Sequence, residues 1–334
     1  THQNLLHMCF SYYADIEFVA HDETILHAAP MSHGSGLYGL PFLLKGAQNA
    51  IPESGQFDPD SIFDAIKKYK KLSFFAAPTM IKKLVESSRA DENLSNLRTL
   101  TYGGGPMYLA DCKDALNVFG PVMYQLYGQG ESPMTITGVS KIMHQEPNRE
   151  KLDHILTSVG IARTGVEIAV VGSDGKVLPS GGVGEIITKS QCTMSGYFNN
   201  MTATEMAIKN DWLYTGDIGT IDQRGILTLK DRSKDMIISG GSNIYPREVE
   251  DILITFPSIK EVAVVGRRNN YWGESAVAFV VGEAEENDLI EFCKKSLAGF
   301  KVPREYIFIE ELPKNNYGKI VKKELRERLV EENK

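Results

Sequence analysis

Strand-length apolar runs alternate with helix-length amphipathic segments from Thr24 to Phe119, and this alternation constrains the fold more than any other feature. Residues 4–20 carry apolar positions at helical spacing, and Thr24 to Ala29 reads as a buried strand entering a glycine-rich loop, Pro30 to Gly39. Helices are expected over Ile62 to Tyr69, Thr79 to Glu86 and Leu109 to Phe119. Strands are expected over Leu72 to Ala77 and over Leu97 to Tyr102, the second ending in Gly103-Gly104-Gly105-Pro106. Such alternation argues for α/β units on a parallel sheet. Ligands of these sheets bind at the carboxyl ends of the strands, where the glycine loops fall.

The texture changes near residue 158 to short strands with Gly and Asp turns, as in Glu167 to Val171, Gly184 to Thr188 and Ile226 to Leu229. That spacing predicts a small antiparallel barrel or sandwich. After Arg232 a third texture mixes helices (Glu248 to Phe256, Glu286 to Leu297, Lys322 to Glu331) with strands (Ile259 to Gly266, Ser275 to Val281). The expected class is therefore α/β: a parallel-sheet unit over about residues 1–157, a small β-barrel-like subdomain over 158–232, and a smaller α+β domain over 233–334. A chain of 334 residues is long enough for such a division. The longest apolar runs, Val262 to Val265 and Val277 to Val281, are strand-length and too short to span a bilayer as helices. A formal charge of −7 with no polybasic block argues against a nucleic-acid partner. Cys9, Cys112, Cys192 and Cys293 lie far apart without zinc spacing and read as reduced thiols in a cytoplasmic setting. The chain opens at Thr1 with neither Met nor a targeting segment, so Thr1 is not expected to be a natural start.

Several segments carry chemistry. Gly103-Gly104-Gly105-Pro106 lets a flat ligand approach the backbone because no Cβ intervenes, although a tight strand-to-helix turn has the same sequence. Tyr124 to Glu131 reads as a second loop, with Tyr127 offering an aromatic face and Glu131 a carboxylate for a hard cation; alone, Tyr127 reads equally as core. Tyr214-Thr215-Gly216-Asp217 sets a carboxylate beside a glycine turn, suited to vicinal hydroxyls or to a simple Asx turn. Asp231 to Asp235 is a dense charge run, and Asn315 to Lys319 is a polar loop presenting one lysine.

In this order the segments resemble the adenylate-forming superfamily of acyl-CoA synthetases, peptide-synthetase adenylation domains and luciferases. The motifs that carry the resemblance are Pro30 to Gly34, Tyr102 to Pro106, Tyr127 to Glu131, Gly196-Tyr197, Tyr214 to Asp217, Asp231 to Glu250 with Gly240-Gly241 and Tyr245-Pro246-Arg247-Glu248, and Pro313 to Lys319. The resemblance implies ATP, Mg²⁺ and coenzyme A as cofactors, with a small carboxylic acid as partner. It implies that Gly104, Gly105 and Pro106 line adenine, with Tyr127 and Leu229 on its two faces. Asp217 would hold the ribose hydroxyls, Arg232 the ribose and phosphate, and Glu131 the Mg²⁺. Lys319 would bridge acid and α-phosphate, His33 would gate the acyl pocket, and Gly240 with Gly241 would flank the CoA tunnel. The domain after Arg232 would swing about a hinge at Lys234.

Two departures stand out. The family's phosphate loop has no counterpart, so little ligase activity is expected of this chain alone; and Gly130 stands where the family usually has a threonine. The resemblance implies an AMP-forming acid–thiol ligase. An adenylation domain serving a carrier protein, or a non-catalytic nucleotide-binding module, remains open at this point. The region from Pro30 to Gly39 has no acidic residue for an amino group, which favours an unaminated acid. Gly128 and Gly36 are expected to leave the pocket roomy enough for a medium-chain or aryl acid, unless Met31, Tyr38 or Met134 closes it.

Overall fold

The computed structural model describes residues 1–105, 107–315 and 320–331. It divides into two compact units, residues 1–215 with 219–229, and residues 216–218 with 230–334.

The first unit begins with α1 (His2–Asp15), β1 (Thr24–Leu26), α2 (Gly34–Leu44), β2 (Gln48–Ala50), α3 (Pro59–Lys68), β3 (Leu72–Ala76), α4 (Pro78–Val85), β4 (Leu97–Gly103) and α5 (Leu109–Phe119). It continues through β5 (Met123–Gln129), β6 (Ser132–Val139), α6 (Arg149–Leu156) and β7 (Ile161–Ala162). Seven strands form one sheet in the order β2-β1-β3-β4-β5-β6-β7. The β2 to β5 side is parallel, and β6 and β7 add antiparallel strands at one edge. All five residues of β3 are buried, as a strand covered on both faces requires. Local sequence sets the helix ends. Asp58 caps α3 by accepting from Ser61 N–H, Pro59 opens the first turn, and Lys67 and Lys68 close the last against the helix dipole.

Then come β8 (Val166–Val171), β9 (Gly184–Ser190), α7 (Met201–Ala207), β10 (Ile208–Lys209), β11 (Trp212–Ile221) and β12 (Leu227–Arg232). These strands form one five-stranded sheet, β10-β11-β9-β8 with β12 on β11, in the stretch where a small antiparallel barrel or sandwich is expected.

The second unit contains β13 (Ile237–Ser239), β14 (Ser242–Ile244), α8 (Pro246–Leu253), β15 (Ile259–Asn269), β16 (Gly273–Gly282), α9 (Glu286–Lys294), β17 (Glu305–Phe308) and α10 (Lys322–Glu331). Its apolar runs are continuous because the sheet is covered on both faces. Val262 and Val264 join one core with Ala276, Ala278 and Val280, whereas Ala263 and Val265 join another with Val277, Phe279, Leu325 and Leu329.

Candidate functional site

Parallel strands align their carboxyl ends, so the segments after β1, β3, β4 and β5 gather at one edge of the first sheet. The stretch after β1 is helical sooner than expected. Only Pro30 to His33 precede α2, and exposed His33 occupies its N-cap position. After β4 the three glycines do different work. A Cβ at Gly103 would lie 2.4 Å from the Leu126 carbonyl oxygen, so Gly103 serves strand packing. Gly104 takes φ +78°, a left-handed turn natural to glycine. Beside Gly105 the nearest atom, Pro78 Cδ, is 3.9 Å from a Cβ position, leaving the backbone open to a flat ligand.

Tyr124 to Gln129 is strand β5 and not a loop; the turn is only Gly130-Glu131. Half-buried Glu131 is held twice: its carbonyl accepts from Met194 N–H at 2.7 Å, and its Oε1 accepts the Tyr197 hydroxyl. That bond to a carboxylate pushes the Tyr197 phenol up to about 12. Gln129 Nε2 donates to the Thr215 carbonyl at 3.0 Å, tying the end of β5 to β11. Tyr127 and Leu229 belong to one small apolar cluster with Ile136, Val159 and Leu227.

Gly128 and Gly36 leave no room, contrary to expectation. A Cβ at Gly128 would sit 2.4 Å from Met134 N, and one at Gly36 would sit 1.8 Å from the Met31 carbonyl oxygen. Each is a close approach of backbone to backbone, so a tryptophan at Gly128 has no place to go. Met134 is instead the large side chain at this edge. It is buried, its Sδ lies 3.0 Å from where a Gly34 Cβ would be, and Phe75 stands within 3.6 Å of the same point. Gly130, by contrast, has nothing within 4 Å of a Cβ position.

In the second unit, Asp217 is buried and its Oδ1 lies 3.4 Å from Arg232 Nε, so the structure brings these two expected ribose contacts together. Tyr214 to Asp217 lies inside β11, with Gly216 at φ +69° breaking its regularity. The charge run is no bare linker: Asp231 accepts the backbone N–H of Arg232 and Arg247, and Asp235 pairs with Arg326. Gly240 (φ +57°) and Gly241 (φ +80°) form the two-residue turn of the β13–β14 hairpin, as left-handed hairpin turns require. Gly240 N–H donates to the Trp272 carbonyl at 2.7 Å, and the Arg304 guanidinium lies 5.3 Å from the Trp272 ring centroid. Pro106 and Lys319 lie outside the described residues.

Sequence reasoning missed Arg163, a buried arginine whose Nη1 donates to the Met134 carbonyl. It also missed the Tyr102–His144 hydrogen bond directly ahead of Gly103. Neither has a local signal, since each joins segments far apart in the chain.

The fold and the motifs along this edge are those of one enzyme family. The profile of the AMP-binding enzyme family matches residues 1–198, and that of the AMP-binding enzyme C-terminal domain matches 248–319. The chain belongs to this family. It is 37% identical over 326 residues to a 2-succinylbenzoate–CoA ligase of Bacillus cereus, a match covering 93% of this chain and 63% of that protein. The chain thus spans less than two thirds of the length of the curated relatives it matches. Among solved structures it is similar to the amide bond synthetase McbA of Marinactinospora thermotolerans (TM-score 0.89, 29% identity, 98% of this chain and 66% of that one). It is similar also to o-succinylbenzoate CoA synthetase from Bacillus subtilis in complex with its acyl-adenylate intermediate (TM-score 0.86, 30% identity, 98% and 65%).

Proposed function

We propose that the chain carries the nucleotide- and acyl-binding part of an AMP-forming acid–thiol ligase. The observation that carries this reading is the gathering of the His33 segment, the open Gly104-Gly105 turn and Glu131 at the carboxyl edge of one parallel sheet. In this account an acid oxygen attacks the α-phosphorus of ATP and pyrophosphate leaves. The CoA thiol, losing its proton, then attacks the acyl carbonyl and AMP leaves. Gly104, Gly105 and Pro106 line adenine between Tyr127 and Leu229, Asp217 takes the ribose hydroxyls, and Arg232 the ribose and phosphate. Lys319 offsets the charge that builds at phosphorus. Gly240 and Gly241, beside Trp272, flank the path of CoA, and His33 faces the acid. Lys234 is the hinge about which the C-terminal domain exchanges one half-reaction for the other.

The donor set suits Mg²⁺ that arrives on phosphate. Among the described residues no cluster of three ligating side chains exists, and Glu131 offers one anchored carboxylate, the number such a cation takes from protein when phosphates supply the rest. When bound, the cation neutralises phosphate charge. The acid is taken to be unaminated and aryl, the relatives' 2-succinylbenzoate being of that kind. Pyrophosphate release over an acid panel, with CoA, a phosphopantetheinylated carrier or an amine as acceptor, tests the reading. Acid-dependent release with thioester to CoA is expected; amide or carrier-bound product in place of acyl-CoA, or nucleotide turnover indifferent to acid, contradicts it.

A further inference from the structure

Arg163 joins four segments of the first unit through one buried guanidinium. Nη1 donates to the Met134 carbonyl at 2.6 Å and approaches the Tyr38 hydroxyl at 3.4 Å; Nη2 donates to the Ser11 carbonyl at 2.7 Å; Nε meets Asp15 Oδ2 at 3.1 Å. Its own N–H donates to the Ile136 carbonyl at 3.1 Å, fixing the arginine alongside β6. Asp15 also accepts Thr164 N–H at 3.1 Å, so the carboxylate that balances the buried charge is held in turn. With Asp15 as its counter-ion, Arg163 is committed to scaffold and is not a ligand for an incoming acid.

What the guanidinium grips is an unusual residue. Met134 has φ +61°, a region that side chains other than glycine adopt rarely, and such backbone persists only where neighbours over-determine it. On one side Gly128 abuts the Met134 backbone, and on the other the Met134 thioether reaches the Gly34 wall beside Phe75. The thioether therefore packs against the start of α2, beside Phe75 of β3.

We propose that Arg163 is the positioning residue that sets the size of acid this site accepts, by holding the Met134 carbonyl so that the left-handed backbone keeps the thioether against Gly34. The inference rests on the acyl-adenylate reading above. It differs from glycine-made space: the limit is a strained methionine and the buried cation that clamps it.

Calorimetric binding of AMP and of acetyl-, hexanoyl- and phenylbutanoyl-sulfamoyladenosine to the 334-residue chain tests it. Met134→Gly suits the left-handed backbone and deletes the thioether. It should leave AMP affinity unchanged while raising the preference for the large acyl groups over acetyl by about tenfold or more, the scale of discrimination in an apolar pocket. The pair Arg163→Met with Asp15→Asn removes both charges, leaving neither buried alone. It should shift the same ratio in the same direction with AMP binding retained. If the pair does not fold, Arg163→Lys, which keeps a partner for Asp15 but lacks the forked donors, carries the same comparison. An unchanged ratio in the arginine variants with AMP binding intact overturns the role of Arg163; an unchanged ratio in Met134→Gly overturns that of Met134. Wild-type chain that binds neither AMP nor any analogue overturns the acyl-adenylate reading itself, and the inference with it.

Discussion

Glycines show how far a single residue can be read alone. Gly128 and Gly130 sit two positions apart in one motif, yet a Cβ at the first would strike the Met134 backbone at 2.4 Å while a Cβ at the second meets nothing within 4 Å. Which glycine of the motif has room beside it was not legible, because the answer belongs to β6, a partner strand that the sequence does not announce. Gly128→Ala is expected to lose about 1–3 kcal/mol, the usual cost of overpacking, seen as a lower denaturant midpoint with unchanged slope. Gly130→Thr should stay within about 0.5 kcal/mol of wild type, as substitutions in open surroundings do. Its added hydroxyl should tighten ATP more than AMP, which calorimetry with the two nucleotides measures. Equal destabilisation by the two changes would contradict this distinction.

Among the elements, strand β4 shows both what apolar runs reveal and what they hide. Its extent was readable to within a residue, and so were those of β3, α4 and α5, whereas α3 starts at Pro59, three residues ahead of the Ile62 where its apolar period becomes readable. Strand β5 was read as a loop, since Gly128 and its polar neighbours mask a strand that tertiary pairing on both sides enforces. Also hidden is the support beneath β4. His144 Nδ1–H donates to the Ser140 carbonyl at 2.8 Å, which leaves Nε2 to accept the Tyr102 hydroxyl at 2.9 Å. Burial holds this imidazole down from its usual 6.5 to about 4. The unfolded chain therefore binds the proton that the folded chain refuses. The contribution is complete above about pH 6.5 and is lost as pH falls towards 4, amounting to roughly 3 kcal/mol. His144→Gln should flatten the pH dependence of chemical-denaturation stability across that window. A variant with the wild-type slope would show that the loss arises elsewhere.

At the scale of the whole molecule, the chain divides into two units, and the alternating burial of β15 and β16 explains the unbroken apolar runs of the second. The ion pairs that organise residues 231–235 were not legible, because their partners Arg326 and Asp217 are remote in sequence. Lys234 itself is exposed among them. Lys234→Pro fixes φ there, and on the hinge proposal it should spare either acyl-AMP formation or its consumption by thiol, but not both. Full rates in both half-reactions would remove the hinge.

The central claim is that nucleotide and acyl group share the carboxyl edge of the first sheet. Hydrogen exchange of the chain with and without hexanoyl-sulfamoyladenosine addresses it directly. Added protection at residues 103–105 and 127–131 is the predicted result; binding that leaves both segments unprotected would contradict the account.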